Sequence, residues 1–139
     1  MVIPRELTES ECLQALCGHT VGRIAICTPQ GPRVFPVNYA VDDGSLVIRT
    51  SPYGTIASEG GRNAEMAFEV DHLDDESRTG WSVLVVGRAE IVDDPHELLS
   101  LARNPQPWAG GSRGLYLRLR WRLISGRSLG PVATTPAAG

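Results

Sequence analysis

"RVFPVNYAVDDGSLVIRT", residues 33–50, decides the fold. It reads as two strands rich in β-branched residues around a tight turn, Asp42-Asp43-Gly44. An Asp-Gly pair between apolar runs signals a hairpin, because these residues accept the positive φ angles of a two-residue turn. Pro36 falls inside the first of the two strands. A proline cannot donate to a strand ladder, so it predicts an edge or a bulge there.

Strands continue on both sides of this hairpin. "TVGRIAICT" (20–28) precedes it, joined through the turn "PQGP". "NAEMAFEVDHL" (63–73) and "WSVLVVGRAEIV" (81–92) follow, separated by the polar loop "DDESRTG". Gly87 within the longer run predicts a bulge or a sharp bend. "LYLRLRWRLISGRSL" (115–129) is the sixth strand. Residues 7–17 predict a short amphipathic helix. Thr8 and Glu11 have capping-box spacing, Leu7 and Cys12 can form the hydrophobic staple, and Gly18 is placed to end the helix in a left-handed conformation. Asp94, Pro95 and Glu97 open a second helix that runs to about Arg103. Residues 52–61 read as a loop or a brief helix. Six strands joined mostly by short turns predict a mainly β fold, a six-stranded antiparallel barrel with two or more short helices. Closing the sheet removes its exposed edges.

The chain has 139 residues, which suits one domain. Its net charge of −3 argues against a nucleic-acid partner. No apolar run reaches the roughly 18 residues of a membrane span, and no secretory signal is visible, so a cytoplasmic location is expected. Cys12, Cys17 and Cys27 lack the spacing of a zinc site or a disulfide framework. All 13 basic residues are arginine. Between 115 and 123 the odd positions are apolar and the even ones are Tyr116, Arg118, Arg120 and Arg122. Such period-two alternation gives one apolar and one cationic face. Two readings stand for that stripe: a solvated face, or arginines that meet an anion from a ligand or a neighbouring subunit. The acidic residues Asp71, Asp74, Asp75 and Glu76 are candidate partners for the remainder.

"VIRTSPYGTIA" (47–57) ends a strand and then breaks at Ser51 and Pro52. The break exposes Arg49, Thr50, Ser51 and Thr55, one cation and three hydroxyls, which suits a phosphate. No catalytic motif accompanies it. His19, His72 and His96 are scattered, with no partners at metal-ligand spacing, so no metal site is expected.

The order of these segments resembles the pyridoxamine 5′-phosphate oxidase-like family, which has the flavin-binding split-barrel fold. The carrying pieces are "GRIAICTPQGPRVFPVNYAVDDGSLVIRTSPYGTIA", "AFEVDHLDDESRTGWSVLVVGRAEIV", "PWAGG" and "LRLRWRLISGRSL". The branch it resembles is the short bacterial one that includes nitroimidazole-resistance proteins. The resemblance implies a split-barrel domain over 1–128, with 129–139 as a flexible tail. It implies a homodimer with two sites at the interface, each built from both chains. It implies FMN as the commonest cofactor, with a deazaflavin coenzyme in some relatives, and an oxidoreductase acting on a small substrate. Arg49, Thr50, Ser51 and Thr55 would then meet the phosphate. The backbone at Pro36, Val37 and Asn38 would face the flavin ring, together with Trp81 and Ser82, and Trp108 would cover it from the partner chain. One departure stands out. Ile56 occupies the position where the family pattern places a phosphate-binding lysine, and Tyr53 is bulkier than expected. Arg62 or an arginine of the 118–122 stripe is the candidate replacement. A non-catalytic dimer that has lost or weakened flavin binding is the alternative.

Overall fold

The computed structural model describes residues 3–51, 54–60, 62–101 and 114–130. The elements run β1 (Pro4–Glu6), α1 (Glu9–Cys17), β2 (Val21–Thr28), β3 (Gly31–Val41), β4 (Ser45–Thr50), α2 (Thr55–Gly60), β5 (Glu65–Asp74), β6 (Thr79–Ile91), α3 (Pro95–Leu101) and β7 (Leu115–Leu129). The strand order is β1-β7-β4-β3-β2-β5-β6, and β6 pairs back onto β7. The six expected strands are therefore the ring itself, antiparallel throughout. The seventh strand, β1, lies outside it and pairs only with β7 at Arg127–Leu129. The barrel is split beside β7. β4 covers its residues 115–120 and β1 its residues 127–129, and Leu7 and Cys12 of the α1 region close against Gly126 between them.

The local signals act as their chemistry requires. The β3–β4 hairpin turns on Asp43 (φ 43°) and Gly44 (φ 71°), both left-handed as a two-residue turn needs. Pro36 pairs with Arg23 of β2, while β4 runs out at Thr50, so the proline sits where β3 has lost its second neighbour. Thr8 caps α1 in a full capping box: its hydroxyl accepts from Glu11 N–H at 3.2 Å, and Glu11 Oε1 accepts from Thr8 N–H at 3.0 Å. Gly18 departs from expectation. Its φ of −82° is right-handed, and the helix ends without a left-handed residue. At Gly87 the β6–β7 register shifts, and a side chain there would strike the Arg120 carbonyl.

The core fills the ring. Ile24, Leu46, Ile48, Phe68, Val83, Leu117 and Leu119 are fully buried, with Leu16 of α1 joining them from outside the sheet. Tyr39 is a packing residue. Its ring meets Phe68 edge-on at 4.8 Å, and its hydroxyl donates to the Leu16 carbonyl at 2.5 Å. That burial pushes the Tyr39 phenol well above its ordinary range. Outside the ring, Tyr116, Val47, Val92 and Leu101 form a second cluster, with Leu98 packed against it, so α3 covers the outer face of β4 and β7.

Each arginine of the stripe meets an acid within the chain, while the buried Arg118 Nε has no partner among the described residues. Arg118 is buried. Its Nη1 donates to Asp42 at 2.9 Å and to Ser45 Oγ at 2.7 Å, and its Nη2 reaches Glu97 at 3.5 Å. Arg120 pairs with Glu90 at 3.1 Å, and Arg122 with Glu65. These partners replace the expected Asp71–Glu76 run. The β4–β7 register brings Arg118 beside the 42–45 turn, out of reach of that run. Asp71 is held instead by Arg23 at 3.2 Å.

Candidate functional site

Six of the nine expected site residues converge on one cleft of about 270 Å³. Pro36, Val37 and Asn38 come from β3, Arg49 and Thr50 from β4, and Thr55 from α2; Phe35, Gly54 and Ile56 complete the wall. The hairpin register produces this. Asn38 lies directly opposite Arg49, and Arg49 opposite Tyr116 of β7. The three therefore form one row on the outer face of the sheet. The Arg49 guanidinium sits 5.3 Å above the Tyr116 ring, itself buried under α3. A stacked guanidinium is held in place before any anion arrives. Ser51 lies next in sequence to Thr50 and is half-buried, outside the lining of the cleft. Val37 contributes backbone, since its side chain belongs to the core.

Ile56 is 7 % exposed and packs into the main core. It forms an apolar part of the cleft wall and brings neither charge nor hydrogen bond. Among the other candidates for a second cation, Arg118 is engaged by its own acids, and Arg62 is exposed on the turn after α2. Tyr53 and Trp108 lie outside the described residues.

Trp81 and Ser82 lie apart from this cleft. They line a groove of about 610 Å³ with Pro4, Leu73, Arg78, Arg127 and Leu129. Trp81 is only 5 % exposed, and His19 packs on its ring edge-on at 5.1 Å. Burial, with His72 nearby, pushes the His19 imidazole below its ordinary range, so it is neutral at pH 7. The sequence reading joined two places that one chain keeps separate. Three strand spacings, roughly 14 Å, separate the rows of Asn38 and Ser82.

A second feature of the outer face escaped the sequence reading. Val34, Ala25, Ala67, Val86 and Leu123 are directly opposed on β3, β2, β5, β6 and β7. Val34 is 61 % exposed and Leu123 46 %. In sequence each looks like an ordinary strand residue, and only the register aligns them.

Comparison with known proteins agrees with this architecture. The family model described as pyridoxamine 5′-phosphate oxidase matches residues 8–128. The chain belongs to that family. An uncharacterised protein of Mycobacterium tuberculosis is 29 % identical over 135 residues, 94 % of this chain and 89 % of the relative. An FAD-binding protein from Mycobacterium smegmatis superposes with a TM-score of 0.74 at 28 % identity, covering 89 % of this chain and 98 % of the other. An FAD-binding protein from Mesorhizobium loti gives 0.75 at 26 % identity, covering 91 % and 98 %. Among the described residues, no helix is long and apolar enough to cross a membrane, and no group of His, Cys, Asp and Glu has metal-site geometry.

Proposed function

We propose that this chain is a flavin-dependent oxidoreductase for a small substrate, working as a homodimer. The convergence of Asn38, Arg49, Thr50 and Thr55 in one cleft carries this reading. Arg49 and the hydroxyls of Thr50, Ser51 and Thr55 would hold a phosphate, and the β3 backbone at Pro36–Asn38 would present fixed hydrogen-bonding groups to the ring. A bound flavin would supply the redox chemistry, and the protein positions it and limits access to it. Trp81 and Ser82 would reach the flavin from the partner chain, which accounts for their separate groove. The apolar row Val34–Leu123 is the face we assign to the second copy.

Ile56 bears on which flavin. The terminal phosphate of FMN is a monoester with close to two charges at pH 7 and favours two cations. Each phosphate of FAD carries one ester bond, one anhydride bond and a single charge, which Arg49 and three hydroxyls can match. The relatives that bind FAD support the same choice. A deazaflavin coenzyme is the third candidate. Absorption titration of the purified protein with FMN, FAD and the deazaflavin coenzyme tests the reading. FAD is expected to bind more tightly than FMN. Arg49→Ala should weaken binding roughly tenfold to a hundredfold, the value of one charge-assisted contact. Ile56→Lys should recover affinity for FMN more than for FAD. The buried placement of Ile56 supports a second reading, a split-barrel dimer without a flavin. Failure to bind all three ligands establishes it and removes the enzyme assignment.

A further inference from the structure

The Arg49 guanidinium and the Tyr116 ring beneath it belong to the next-to-last pair of the β4–β7 ladder, which ends at Thr50 and Leu115. The end of a ladder opens most readily. The ring that pre-places the candidate phosphate-binding cation therefore needs support from outside the two strands.

That support comes from the outer face. There Ser45, Val47 and Arg49 of β4 stand opposite Arg120, Arg118 and Tyr116 of β7. α3 lies over this face, with Leu98 and Leu101 packed in one cluster with Tyr116, Val47 and Val92. The Val92 N–H also donates to the Tyr116 carbonyl at 2.9 Å. α3 has seven residues, too few to persist as a helix on its own. Whatever anchors α3 therefore bears on Tyr116.

Arg118 is such an anchor. It is the next residue from Tyr116 on the outer face of β7, and it is 6 % exposed. Its Nη2 reaches Glu97 in the first turn of α3 at 3.5 Å. Its Nη1 donates to Ser45 Oγ at 2.7 Å and to Asp42 Oδ2 at 2.9 Å, both at the turn of the hairpin that carries Arg49. One guanidinium on β7 thus holds both the hairpin and α3. The same three elements build the seat of Arg49: the hairpin supplies the cation, β7 the ring and α3 the cover. Burying a guanidinium costs desolvation, and Arg118 Nε has no partner among the described residues. A leucine would fill the position without that cost, but it would not fix three elements at one point.

We propose that Arg118 is a positioning residue for the candidate phosphate site: by tying the hairpin turn and α3 to β7, it holds the Tyr116 ring under the Arg49 guanidinium. The inference rests on the reading of Arg49 as the phosphate-binding cation. Arg118 touches no ligand in this account and acts through Tyr116.

The test is a double-mutant cycle on the full chain, read as FAD affinity by absorption titration. Arg118→Leu should weaken FAD about threefold to tenfold, the range of a cation–π contact. In the Arg49→Ala background the same substitution should change affinity by less than about twofold, because the cation it positions is gone. Arg118→Lys keeps a donor for Asp42 and Ser45 and should recover most of the loss. Leu16→Ala is the control for stability alone: it should lower the urea midpoint and leave FAD affinity within about twofold. Asp42→Asn, at a half-exposed acid, runs the same cycle with a smaller loss and keeps the test available if Arg118→Leu does not fold. Equal losses with and without Arg49, or no loss from Arg118→Leu, overturn the positioning role while the phosphate reading stands. An Arg49→Ala protein that binds FAD as the wild type does, or a wild type that binds none, overturns the phosphate reading and the inference with it.

Discussion

The barrel has two outer faces, and the chain treats them differently. Over β4 and β7 it supplies its own cover. α3 buries Val47 and Tyr116, and Arg118 is enclosed by Asp42, Ser45 and Glu97. Over the outer row of β2, β3, β5 and β6 the described residues supply none. Val34 and Leu84 are exposed there, and the charged groups on that surface, Arg23, Glu69 and Asp71, carry unequal charge. Both faces carry apolar residues in rows and arginines beside acids. Each face sets one arginine against two acids; the closed face is buried by its own chain, and the open one leaves Val34 and Leu84 exposed.

Substitutions on the two faces should therefore read out differently. The largest effect on stability is expected at Arg118. Arg118→Leu removes the hydrogen bonds to Asp42 and Ser45 from a buried network, while Ser45 keeps its bond to the Asp42 carbonyl, and should cost about 1–3 kcal/mol in urea unfolding. Glu97→Gln loosens only one long contact to a half-exposed acid, and a loss of roughly 0.5 kcal/mol is expected. Leu84→Arg on the open face should change the stability of the single chain by less than about 0.5 kcal/mol while removing association. If Leu84→Arg unfolds the chain instead, the open face belongs to the core and the contrast fails.

pH acts in opposite directions on two acids, one on the open face and one at the start of α1. Burial and the neighbouring Asp71 carboxyl raise Glu69 in the folded state, so its contribution to stability is full below its unfolded value and is lost as pH rises through about 7. The wild type should unfold more easily at pH 8 than at pH 5.5 relative to Glu69→Gln, measured by thermal melting of dilute protein. Glu11, near β1, works in the opposite direction. Arg5 and the Thr8 amide hold it down at about 2, so its contribution is present above its unfolded value and declines as pH falls toward 2.

Much of the fold was legible because its signals are local. The Asp43-Gly44 turn, the Thr8–Glu11 box and the strand alternation each depend on residues close in sequence. β1 was missed for the converse reason. Its three residues, Pro4, Arg5 and Glu6, are all exposed and carry no apolar pattern, and only pairing with the end of β7 makes them a strand. The candidate site was half legible. The Arg49 cleft is built across a hairpin, so its members lie close in both sequence and space. Trp81 and Ser82 were assigned to the same site through the family resemblance, and a resemblance that spans two chains cannot say which chain contributes which half. The partners of Arg118 and the apolar row depend on register between distant strands, which residue order does not encode.

β7 has one further consequence. Its 15 residues are the seam of the molecule: β6 lies along one side, and β4 and β1 take turns on the other. It is also the last strand among the described residues. During synthesis the first six strands leave the ribosome with the ring still open, and neither the core nor the Tyr116 support under Arg49 can form until residues 115–129 arrive. Pairing of β7 with β4 and β6 closes the barrel, completes the core and places the candidate phosphate site at the same time.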